Sequence, residues 1–315
     1  MLVAAAKTLL SSQNVSVLLI DTIPDVDNLA ARLEQAGIFD TVRVAGVGRP
    51  FYSQSYYRTL LHDLFFKQHV QKLINHIAGH QEIYLFNDIS EIGCLLMRRG
   101  IKYHLLEDGL DAFKLFNQRQ LSSGKTLARS VLRQLFRTPQ GLGDSDCCVD
   151  IEINDAEGLR TKIDKPIKVV SRKSIFSSLN KEQLEALFSI FQLGNYRCLH
   201  GKTLVLTTPF RELGYDDEAI HRYYRTIVRH FGGPEQCWIK PHPRDGVDYS
   251  VIVNPDNIID RRMPVELLSF IPSLKLHAVV SYNSTSLGAV QNSDYRFVTK
   301  PGLIMRDVEN LCIEI

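Results

Sequence analysis

Trp238-Ile239-Lys240-Pro241-His242-Pro243-Arg244-Asp245 is the stretch on which the reading of this chain turns. A short apolar run, Cys237 to Ile239, stops at Pro-His-Pro with a cation on each side. The first proline ends regular hydrogen bonding, and each proline biases the residue before it towards extended backbone. His242 is therefore expected in a stiff turn just past the carboxyl end of a strand, the edge at which open α/β sheets hold their ligands. Lys240, His242 and Arg244 together suit a phosphate. The plainer alternative is a surface turn with a solvated histidine.

Outward from that stretch, strand and helix patterns alternate along the chain. Val15–Ile20, Thr41–Ala45, Glu82–Phe86 and Ile101–Leu106 read as strands in the first half. Helical spacing marks residues 1–12, a segment through Leu29 and Leu33 to a stop at Gly37, a long run from Ser55 to Ala78, and Glu91–Arg99. Pro139–Asp146 reads as a linker. Beyond it, strands are expected near 149–153, 167–170, 203–207 and 276–280, with a short one at Asn257–Asp260. Helices are expected at Asn180–Phe191, with Asn180 as N-cap, at Asp216–Phe231, and after Pro264. Such alternation implies parallel, doubly wound sheets. The division expected is 1–145 and 146–315, two Rossmann-like domains.

Composition narrows the class. With 315 residues, 44% hydrophobic and 23% charged, the chain suits two ordinary soluble domains. A net charge of +2 gives no sign of a nucleic-acid partner. No apolar run is long enough to span a bilayer, and the start does not read as a signal peptide. The six cysteines show no CxxC spacing, so neither structural zinc nor a disulfide framework is expected, and the compartment expected is the cytoplasm. Residues 112–143 carry six Lys or Arg and no acid, with apolar residues interleaved at helical spacing. A basic amphipathic helix of this kind lies on an anionic membrane surface or meets an acidic acceptor, so peripheral contact through residues 114–137 is one expectation. A solvated basic face is the other. Gly124-Lys125-Thr126 imitates the end of a phosphate loop, but Arg119 stands where its first glycine is required.

Three loops fall at expected strand ends: Pro241–Arg244, Arg262–Glu266 and Ser281–Ser286. The last resembles a helix N-terminus rich in hydroxyls, where N–H groups, dipole and hydroxyls bind phosphate without a metal. Ser284, Thr285 and Ser286 would face His242 if their strands are neighbours; simple N-capping explains them otherwise. Glu266 suits the ribose hydroxyls of a nucleotide, or merely the start of a helix. In the first half, Glu107-Asp108-Gly109 puts two acids after a strand, where one carboxylate raises the pKa of the other and can serve as a base. Asp25-Val26-Asp27 and Asp144-Ser145-Asp146 are better explained by capping and by the linker than by a metal.

Glu107-Asp108-Gly109, His242-Pro243 and the downstream Ser/Thr cluster, in this order and in an Ile-Lys-Pro-His-Pro-Arg context, resemble the signature motifs of bacterial sialyltransferases. The layout most resembles glycosyltransferase family 52, the lipooligosaccharide sialyltransferases, with the capsule polysialyltransferases as near relatives. That resemblance implies a GT-B-like α/β fold, two Rossmann-like domains with mainly parallel sheets facing a cleft. It implies CMP-sialic acid as donor, no metal or other cofactor, and inverting transfer to a terminal galactose-type hydroxyl of a surface glycan or glycolipid. His242 would meet the CMP phosphate as general acid or charge stabiliser, with Lys240, Pro243, Arg244, Ser284, Thr285 and Ser286 around it and Glu266 on the nucleotide. The base would be Asp217, matched by position only, or its neighbour Asp216, with Asp108 as the rival. The family begins with a strand ahead of the first helix, whereas this chain starts within that helix, so a missing first strand and a reduced acceptor side are expected. A homodimer is also implied. Two other readings stand beside this one: a GT-B transferase using another donor such as a UDP-hexose, and an inactive relative serving as a binding subunit of a glycan-assembly complex.

Overall fold

The computed structural model describes residues 1–20, 26–45, 67–107, 142–157, 164–193, 196–271, 273–282, 285–299 and 312–314. Compact units divide it in two: residues 1–17, 23–42 and 179–315 form one, and residues 18–22 and 43–178 the other.

Strands β1 (Ser16–Ile20) and β2 (Thr41–Ala45) pair as a two-stranded sheet. The second of the units is built on a four-stranded sheet of order β3-β4-β5-β6, comprising β3 (Tyr84–Leu85), β4 (Tyr103–Leu106), β5 (Cys148–Ile153) and β6 (Ile167–Val169). Every pairing in it is parallel. Tyr103, Leu105, Ile151 and Ile153 form its core with Leu96 and Met97. The expected strands at 149–153 and 167–170 are present, but they complete this sheet and do not open the next one. The division at 145/146 is thereby corrected, because β5 pairs with β4 across the linker and the boundary falls at Leu179.

The other unit holds a five-stranded sheet of order β11-β10-β9-β7-β8. Its strands are β7 (Thr203–Leu206), β8 (Cys237–Lys240), β9 (Leu276–Ser281), β10 (Ser293–Thr299) and β11 (Cys312–Glu314). All pairings are parallel except the β10–β11 edge. Val205, Cys237, Ile239 and Val280 line one face, packed against Ile220, Tyr223, Tyr224 and Ile227. Those four stand on one helix, Asp217–His230, at the spacing an amphipathic helix needs. The N-terminal helix Leu2–Leu10 and the helix Val26–Ala36, which stops at Gly37 in the left-handed region (φ 62°), belong to this unit as well. Both pack on the helix Lys181–Ile190, and Gln183 Nε2 donates to Leu9 O at 2.6 Å. Asn180 caps that helix in a reciprocal capping box with Gln183, as its sequence position implies.

Three local expectations change. Asn257–Asp260 is no strand but a single bridge, Ile258 to Ile239, because Pro255 starts a 3-10 turn and withholds an N–H from the ladder. The segment after Pro264 is a 3-10 helix, Val265–Phe270. Strand β10 lies beyond the last strand expected from sequence; Ser-Asp-Tyr-Arg-Phe-Val-Thr has no clean alternation, and its burial is mixed accordingly. The basic stretch 114–137 and the first part of the 55–78 helix lie outside the described residues, whose portion of that helix is Lys67–Ala78.

Candidate functional site

In the five-stranded sheet, Leu206 pairs with Lys240 on one side and with Ser281 on the other. Strands β8, β7 and β9 therefore end in one row. The chain goes from β7 to β8 on one flank, then crosses to β9 on the other, which makes the carboxyl end of β7 a topological switch point. Pro241-His242, Thr207-Thr208 and Tyr282 leave the sheet there.

His242 is half-buried, and the turn binds it at three points. Its N–H donates to Thr207 Oγ1 at 2.9 Å, its carbonyl accepts from Asp245 N at 2.8 Å, and its Nδ1 accepts from Arg244 N at 3.2 Å. An imidazole nitrogen that accepts carries no proton, so the neutral ring holds its hydrogen on Nε2. Burial lowers the His242 pKa, and the positive charges of Arg244 and Lys240 lower it further against the opposing pull of Glu212 and Asp245. At neutral pH the ring is uncharged, and among the described residues none accepts from its Nε2–H.

Asp245 closes the turn. Its buried carboxylate accepts from the Thr207 and Tyr249 hydroxyls, each at 2.6 Å, and from Val247 N at 3.1 Å. Lys240 is buried too: its Nζ donates to the carbonyls of Pro241 and Arg261, both at 2.8 Å. Burial brings its pKa down to about 8, against the pull of Asp260 and Glu266, so the ammonium persists at neutral pH. It staples the turn to the Arg261 segment, while Arg261 Nη1 returns to Asp245 O at 3.3 Å. Between the turn and Ile258–Arg262 lies a groove of about 320 Å³, lined by Pro241, Asp245 and Arg262 among others. Arg262 forms a fork on Asp260, with nitrogen to oxygen distances of 3.2 and 3.0 Å. Pro243 and Arg244 are exposed at the tip, Arg244 Nη1 lying 3.0 Å from Glu212.

The remaining expected residues separate. Ser284 and Asp108 lie outside the described residues. Thr285 and Ser286 begin a 3-10 turn of five residues, Thr285–Ala289, not an α-helix. They do not sit on a strand adjacent to that of His242 either: β7 intervenes, so two strand spacings of about 4.8 Å separate β8 from β9. Glu266 stands half-buried in the 3-10 helix, close enough for its charge to act on Lys240. Asp216 caps its helix, accepting from Ala219 N at 2.8 Å. Asp217 takes both Nε (2.6 Å) and Nη2 (2.5 Å) of Arg211, whose hydrogen bond holds its carboxyl below the usual carboxylate range. In the other unit, Glu107 is buried and accepts from Asn154 N at 2.7 Å, while Arg172 Nη2 reaches the Glu107 carbonyl at 3.1 Å. Of the two adjacent acids, this one fastens β4 to the segment after β5.

Thr207, Asp245 and Tyr249 are the site residues that sequence reasoning missed. Asp245 has a local signal, an Asp whose carboxylate takes the N–H two residues on. Thr207 has none, since its partners stand 35 and 38 residues away.

Comparison with known proteins adds to this geometry. The sequence model of glycosyltransferase family 52 matches residues 31–298. An uncharacterized protein of Haemophilus influenzae is 26% identical over 197 residues, which are 61% of this chain and 60% of that protein. The chain thus aligns with about 60% of that relative's length. Among solved structures, the 2,6-sialyltransferase of a Photobacterium species, crystallised as a ternary complex with the donor product CMP and the acceptor substrate lactose, is similar in fold. Its TM-score is 0.51 at 13% identity, over 93% of this chain and 73% of that one. The α/β, GT-B-like class expected from the motifs is the fold found.

Proposed function

This chain belongs to glycosyltransferase family 52, and we propose that it is a sialyltransferase moving sialic acid from CMP-sialic acid to a terminal galactose-type hydroxyl of a surface glycan, with inversion and without a metal. The observation that carries the reading is His242, held at the switch point with Nε2–H unpartnered among the described residues and with Lys240 and Arg244 beside it. As CMP departs, negative charge grows on its phosphate while the sugar becomes oxocarbenium-like. A fixed N–H donor among cations stabilises that charge as it forms.

Within this reading His242 acts as a hydrogen-bond donor and charge stabiliser. Its Nδ1 lone pair is occupied by the Arg244 amide, which opposes the imidazolium a general acid needs. The groove beside Pro241 and Arg262 would take the nucleoside end, with Glu266 nearby. The base is one of Asp217, Asp216 and Asp108, of which Asp216 caps its helix and Asp217 pairs with Arg211. Similarity to a structure holding CMP and lactose supports a nucleotide donor and a glycan acceptor.

The test is transfer from CMP-sialic acid to lactose with EDTA present, alongside UDP-hexose donors. Sialyl-lactose with a new linkage of inverted anomeric configuration is the expected product. Transfer from a UDP-sugar alone would replace the donor, and CMP binding without product would favour an inactive relative.

A further inference from the structure

The Pro-His-Pro turn is tied to β7 by groups that the proposed reaction does not touch. Thr207 stands at the end of β7, 3% exposed, and Asp245 in the turn, 4% exposed. A carboxylate so buried is costly unless donors satisfy it, and Thr207 Oγ1, Tyr249 OH and Val247 N all donate to this one. Thr207 Oγ1 gives its single proton to Asp245 Oδ2 at 2.6 Å, which turns its lone pairs to the N–H of His242 at 2.9 Å. The polarity of the relay is fixed from the carboxylate outward. With its N–H, carbonyl and Nδ1 all committed, His242 keeps Nε2–H, which no described residue accepts, for another molecule.

We propose that Thr207 and Asp245 are positioning residues for His242, setting the backbone from which its Nε2–H is presented to the nucleotide phosphate. The use of that N–H in catalysis rests on the sialyltransferase reading; the positioning does not. Misplacing a reacting group by about 1 Å can cost on the order of a hundredfold in rate.

Three variants test this: Thr207→Val removes the hydroxyl, Thr207→Ser restores it, and Asp245→Asn keeps the shape while letting residue 245 donate. Nitrogen-15 NMR of the His242 ring, assigned by its loss in His242→Gln, reports the tautomer without any substrate. The wild type is expected as a single Nε2–H tautomer. Thr207→Val and Asp245→Asn should show a mixture and lose about 10- to 100-fold in kcat with donor KM little changed, and Thr207→Ser should recover both. If Thr207→Val fails to fold, Asp245→Asn carries the test. A single Nε2–H tautomer in Asp245→Asn overturns the proposal, whether kcat falls or not. Absence of sialyl transfer by the wild type would defeat the functional reading, and the NMR comparison would still decide the positioning.

Discussion

His242 combines half-burial with a fixed tautomer, and both have measurable consequences. Replacing it with Gln keeps a side-chain N–H donor but not the ring held by Arg244, so we expect turnover to fall at least about a hundredfold. Thermal unfolding should move little, since the side chain contributes little to the core; unchanged sialyl transfer would remove His242 from the site. The lowered pKa also sets a sign. The unfolded histidine titrates near about 6.5, and the folded one below that, so between the two values the unfolded chain binds more protons. Stability from this group is present above about pH 6.5 and is lost as pH falls through the folded pKa. Urea unfolding over that window should show the wild type losing stability relative to His242→Gln on acidification, and a constant difference would contradict the burial argument. Carboxylates with lowered pKa, such as Asp217, act at lower pH and leave the window clear.

At the scale of elements, the helix Glu91–Arg98 is the most demanding. Ser90 caps it, accepting from Gly93 N, and Gly93 lies against the backbone of Asp88. A Cβ at that position would stand 2.1 Å from the Asp88 carbonyl oxygen, and backbone cannot swing aside as a flexible side chain can. Gly93→Ala is expected to destabilise the unit by about 1–3 kcal/mol or more, the cost of overpacking. A variant melting like the wild type would show that the loop before the helix relaxes freely. Asp88 itself is buried, with Oδ2 accepting from Tyr103 OH at 2.9 Å and Gly143 N at 3.0 Å, so a shift there disturbs β4 and the entry to β5 together.

For the whole molecule, two units with separate cores imply two unfolding events. The groove and His242 lie in the unit containing residues 179–315. CMP should raise the transition of that unit by about 2.7 kcal/mol at a hundredfold excess over Kd. Calorimetry with CMP checks this; a shift confined to the other transition would move the nucleotide site. Among the described residues no helix is long and apolar enough to cross a membrane.

Local patterns in the chain sufficed for the α/β class, most elements of both sheets, and the turn that carries His242. Hydrophobic periodicity, helix caps and prolines act over a few residues, so a linear reading captures them. Contacts between distant segments settled the rest. Strands β5 and β6 join the first sheet, and β7 separates β8 from β9, because strand pairing is settled by long-range packing that no local pattern encodes. The N-terminal helices belong with the C-terminal sheet because their apolar faces are buried on the helix Lys181–Ile190, far along the chain. Asp217 and Glu107 look alike in sequence, as carboxylates free for chemistry; folding assigns one to Arg211 and the other to Asn154. Thr207 carries no mark until β7 and β8 lie side by side and bring its hydroxyl within 2.9 Å of the His242 amide.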